Sequence, residues 1–60
     1  MPIWEAQLRK DAREVVGVDP IEEIDDQRKV VVIKSDISDP PTLRAIEKIV
    51  KEVGYEVKQL

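Results

Sequence analysis

Five carboxylates crowd one short segment, Asp19, Glu22, Glu23, Asp25 and Asp26, and oxygen donors in such a cluster could hold a hard cation such as Mg²⁺ or Ca²⁺. Their spacing follows no EF-hand loop, so the simpler reading is a solvated strand edge protected by charge. A second candidate is basic. Arg44, Lys48 and Lys51 recur at i, i+4 and i+7, a stripe on one helix face that could grip phosphates. Glu47 and Glu52 flank it and are expected to pair with it at helical spacing, which dilutes its field. Ser35 and Ser38 have no basic partner at motif spacing that would make either a nucleophile.

The chain contains neither histidine nor cysteine. That removes the side chain that does acid–base work at neutral pH, the thiol nucleophile, disulfides and the usual ligands of structural zinc. Gly17 and Gly54 stand alone, so there is no glycine-rich phosphate loop. A chain of 60 residues also offers little room for a substrate pocket. The expectation is a non-catalytic protein without metal or cofactor. Ten basic against thirteen acidic residues, a net charge of −3, argue against a general affinity for nucleic acid or anionic membrane. Trp4 and Tyr55 are the aromatic residues, too few for a single-strand stacking platform. The longest apolar run, Val30 to Ile33, is far too short to cross a bilayer, and the N-terminus lacks the basic-then-apolar pattern of a secretory signal. A cytoplasmic protein is therefore expected.

The elements that must position these residues are marked by periodicity and caps. Between Ile3 and Val16 the apolar residues Trp4, Leu8, Ala12, Val15 and Val16 fall at helical spacing, with Arg9, Lys10, Arg13 and Glu14 on the other side. Gly17 can end this helix in the left-handed conformation, with Val18 folding back on it. Asp19-Pro20 followed by Glu22 reads either as a helix start or as the approach to a weak edge strand from Ile21 to Asp25; its short length favours the strand. A polar turn from Asp26 to Arg28 follows. Val30 to Lys34 is the strongest strand, and its unbroken valine and isoleucine run predicts burial on both faces.

The second helix has both ends marked. Asp39 is an N-cap and Pro40 takes the first helical position, where its missing N–H costs nothing. Leu43, Ile46, Ile49, Val50 and Val53 form the apolar face, Gly54 ends the helix, and Tyr55 can fold back on Val50. Glu56 to Leu60 reads as a closing strand with Val57 inward and Glu56 and Lys58 outward. The result is one small α+β domain over residues 1–60, of order α-β-β-α-β in two layers.

From Trp4 onward this order, with "VVGV" ending the first helix, "KVVVI" as the central strand and "AIEKIVKEVGYEV" as the last helix and strand, resembles the heavy-metal-associated domain of copper chaperones and copper-transporting ATPases. That resemblance implies a ferredoxin-like fold without its first strand. The family's first strand and Cys-x-x-Cys loop would lie ahead of Trp4, where Met1, Pro2 and Ile3 stand, so the resemblance carries over no metal ligand. Thiolates are what Cu(I) needs, and Met1 does not replace them.

Loss of the strand that separates the central strand from the last one leaves both with unpaired edges. Two solutions stay open: direct parallel pairing through a crossover, or a strand from a second chain. A chain this short is marginal alone, so a homodimer is the expected supplement, with Trp4, Val30, Val32 and Val57 as candidate interface residues and water reaching Val30 to Ile33 in the monomer. Trp4 fits a core cap as well as an interface anchor. The leading functional reading is therefore a homodimeric interaction or structural module. A nucleic-acid-binding protein using Arg44, Lys48 and Lys51 is the second. The third is a designed scaffold without natural function, since the highly charged surface, the absence of Asn and Cys and a single Met suit design practice as well as thermophile usage.

Overall fold

The computed structural model describes residues 3–60. Its order is α1 (Ile3–Val16), β1 (Ile21–Asp25), β2 (Val30–Ile33), α2 (Pro40–Glu52) and β3 (Glu56–Gln59). Both helices pack on one face of a three-stranded sheet of order β1-β2-β3, in which β1 and β2 are antiparallel and β2 and β3 parallel. Direct pairing of β2 with β3 is thus how the gap is closed; within one chain no second copy is needed for it.

The core consists of Leu8, Ala12, Ile21, Val31, Ile33, Ile46, Val50 and Tyr55. On α1 the covered stripe is Trp4, Leu8, Ala12 and Val16, an unbroken i+4 series. Val15, expected on that stripe, lies about 100° off it and is largely exposed. On α2, Leu43, Ile46, Ile49 and Val50 meet the core, whereas Val53 is already the C-cap, with φ −93° and ψ 3°, and turns outward. The expectation that β2 is buried on both faces is corrected: Val31 and Ile33 are fully buried, while Val30 and Val32 are only half-covered. Two helices cover one side of a sheet, so alternate residues of even an all-apolar strand point away from them.

Caps explain where the chain turns. The Asp39 carboxylate accepts the backbone N–H and the hydroxyl of Thr42, at 3.2 and 2.7 Å. At the far end Gly54 (φ +85°) donates to the Lys51 carbonyl and Tyr55 to the Val50 carbonyl, the paired bonds of a Schellman motif. α1 ends more simply: Gly17 (φ +94°) makes one bond to the Arg13 carbonyl, 2.7 Å, and Val18, expected to fold back, is exposed. Asp19 does not start a helix. Its Oδ1 accepts the Ile21 N–H at 3.0 Å, and Oδ2 takes Arg9 Nη1 at 3.1 Å, so the Asp-Pro step leads into β1 as an Asx turn. Arg9, read as a solvent-side residue, therefore lies against the core layer, its Nη1 also reaching the Ile21 carbonyl at 3.3 Å.

The β1–β2 turn is fastened by Asp25 Oδ1, which accepts the N–H groups of Gln27 and Arg28, each at 3.1 Å. Lys29 closes it in the left-handed region, φ 59°. A lysine there is strained by about 1 kcal/mol. Its carbonyl accepts the Glu56 N–H at 2.9 Å and its ammonium stands 5.2 Å from the Tyr55 ring centre, so the strained residue also joins the hairpin to β3.

Candidate functional site

Backbone groups that the sheet leaves unpaired lie on the outer sides of β1 and β3, and the sequence treats these two edges differently. β1 begins after buried Pro20, carries a register irregularity between Ile21 and Glu23, and exposes Glu22 and Glu23. Bulge and like charges are devices that prevent another strand from adding to an edge, and here the Ile21 N–H and carbonyl are also already taken by the side chains of Asp19 and Arg9. β3 is "EVKQ", regular in register with β2 from Val30↔Glu56 to Ile33↔Gln59, and has none of the three. Glu56 donates its N–H to the carbonyl of Lys29, just ahead of β2, and Leu60 to that of Ile33, the last residue of β2. The groups of a parallel ladder alternate sides, so the N–H and C=O of Val57 and Gln59 point outward, away from β2.

The face of the sheet away from the helices is mostly charged. Cross-strand rows run Glu23, Val32, Lys58 and Asp25, Val30, Glu56. Val30 and Val32 therefore sit between charged neighbours and form no broad apolar patch. Val57 lies on the helix side, half-buried against the core. Trp4 is also half-buried there, its ring 5.1 Å from that of Tyr55 at 54°. Of the expected interface residues, Val57 alone belongs to the open edge.

The basic stripe is exposed along α2, where Arg44, Lys48 and Lys51 share one open helix face with Glu47 and Glu52. Among the described residues Glu47 and Glu52 close no ion pair with it within 4 Å; the ion pairs lie at Arg9–Asp19 and Arg28–Asp25. Glu47 and Lys51 also border a hollow with Glu56 and Val57, which places this helix face directly above the open edge of β3. Sequence spacing showed the stripe but had no means of showing its position over that edge.

The acidic cluster is dispersed. Asp19 holds Arg9, Asp25 holds the turn, Asp26 accepts the Tyr55 hydroxyl at 2.9 Å, and Glu22 and Glu23 face solvent. Among the described residues no three acidic groups converge on a point that could hold a metal. A cleft of about 330 Å³ lies near the start of α2, beside Ser38 and Asp39, but the Asp39 carboxylate already occupies the helix N-terminus. No helix among the described residues is long and apolar enough to cross a membrane.

No family model matches the chain, and no curated protein or solved structure is similar enough to it to indicate kinship. Function therefore has to be argued from the site itself.

Both ends of β3 are anchored to the rest of the chain. At its start, burial pushes the Tyr55 phenol above its usual 10.0, and the hydrogen bond it donates to Asp26 and the nearby charges of Asp26, Glu5 and Asp25 add to the shift. At its end the Gln59 side-chain amide donates to the carbonyls of Lys34 and Ile37. The open edge is thus tied to the rest of the chain at each end.

Proposed function

We propose that the protein is a non-catalytic interaction module of an aqueous compartment such as the cytoplasm, homodimeric, and acting through protein–protein contacts at a sheet edge. The observation that supports this reading most is the contrast between a β1 edge closed by a bulge, adjacent glutamates and side-chain bonds to Ile21, and a β3 edge of regular register in which the exposed charges, Glu56 and Lys58, are opposite in sign. Strand addition at an open edge gives affinity through main-chain hydrogen bonds and needs no cavity or cofactor. The folded chain exposes 4163 Å², against about 10,000 Å² for an unfolded chain of this mass, so about 60% of the surface is buried and a second copy adds stability where it is scarce.

Sedimentation over a wide concentration range, with thermal unfolding at each concentration, tests the reading. A dimer is expected, with a melting temperature that rises with protein concentration. A 6.9 kDa monomer at every concentration, melting at a constant temperature, would overturn it.

A further inference from the structure

We infer that two copies join β3 to β3 in antiparallel register with Val57 on the two-fold axis, and that Glu56 and Lys58 select this register by pairing with each other across it. The inference rests on the homodimeric reading above and specifies its interface. Two properties of β3 lead to it, the direction of its free backbone groups and the order of its charges.

The first limits where an axis can lie. Val57 and Gln59 present their N–H and C=O groups outward, while Glu56 and Leu60 donate to the carbonyls of Lys29 and Ile33. An antiparallel pair forms its double hydrogen bonds between residues whose groups face each other. Centring on Val57 makes that residue a mutually bonded pair with its own copy, and brings the Gln59 N–H opposite the Tyr55 carbonyl of the other chain, the Tyr55 N–H being held by Val50. An axis at Gln59 sets Lys58 opposite Leu60 of the other copy, where it meets no glutamate.

Charge selects among the remaining registers. With Val57 central, Glu56 faces Lys58 of the other copy, twice by symmetry. An axis at Glu56 sets glutamate against glutamate, and an axis at Lys58 sets lysine against lysine, each directly opposed and destabilising. Glu56 and Lys58 are both exposed and lie on the sheet face away from the helices, so the cross-strand rows extend as Asp25, Val30, Glu56 and then Lys58, Val32, Glu23 of the second copy. Above the other face, Glu47 and Lys51 share a hollow with Val57, and the same axis brings them near Lys51 and Glu47 of the second copy. The mixed charges that weaken α2 as a phosphate-binding stripe become self-complementary there.

The test is charge exchange. Glu56→Lys and Lys58→Glu are prepared singly and as the double variant, each checked by circular dichroism for a native fold. Each single variant should dimerise about tenfold more weakly than wild type. An equal mixture of the two single variants should form a heterodimer, and the double variant should recover the homodimer. Amide exchange at Val57 and Gln59 should slow with rising concentration, with no such change at Glu22. If wild type dimerises but the single variants associate equally well and their mixture shows no preference, the register is wrong while the dimer stands. If wild type stays monomeric at all concentrations, both fall.

Discussion

The two edges of the sheet have equal need of protection and receive unequal amounts. β1 is fixed from within by Ile21, 4% exposed, and clamped from α1 by Arg9 through Asp19 and the Ile21 carbonyl. It is closed from without by the bulge and the glutamates. β3 is anchored at its two ends through Tyr55 and Gln59, contributes only half-buried Val57 from its middle, and leaves its outer backbone groups free. The difference teaches that in so small a domain one edge strand can be finished and another, one residue shorter, left open. What separates the two is a handful of side chains and one backbone irregularity.

The largest effect that would break this comparison is in the core. Ile21→Ala should cost about 2–4 kcal/mol of stability in chemical unfolding, because it leaves a cavity under β1, whereas Val57→Ala should cost about 1 kcal/mol; equal losses would show that the edges are anchored alike. Next comes a proline. Val57→Pro removes an N–H that makes no bond among the described residues and should weaken association by about 2–3 kcal/mol in sedimentation, while Glu22→Pro at the β1 bulge should leave association unchanged. A smaller loss is expected at the clamp: Arg9→Ala should lower stability by about 1 kcal/mol, with faster amide exchange along β1 and none of that change along β3.

The last effect concerns the start of β3. Tyr55 has its pKa raised by burial and by Asp26, so the neutral phenol favours the folded state. That contribution is fully present below the unfolded value of about 10 and is lost as pH rises through the higher folded value. Thermal stability should therefore fall above about pH 10, and Tyr55→Phe should flatten that fall. An unchanged alkaline slope in the variant would assign the loss to other groups.

Local chemistry made much of the fold legible. The spans Ile3–Val16 and Ile21–Asp25, the Asp39 cap and the glycine-ended helices all follow from interactions within a few residues, which a sequence displays directly. The candidate site was less legible. Val57 could be placed inward by alternation, but the outward direction of its N–H and C=O depends on which strand β3 joins and in what phase. Arg9 looked like a surface residue because its partner Asp19 lies beyond the end of α1, and Lys29 gave no sign of its left-handed backbone, which is supported by Glu56 and Tyr55 from the far end of the chain.

By itself, then, the sequence determined the elements, their caps and the face each one buries, because periodicity and capping are short-range and their energies are local. Only the tertiary structure decided that β3 pairs directly and in parallel with β2, that Val30 and Val32 face away from the core, and that α2 sets Glu47 and Lys51 above a free edge. Those outcomes depend on which surfaces meet after the chain has closed its long loops, and that choice is made by summed burial over the whole domain, where no single residue type carries the signal.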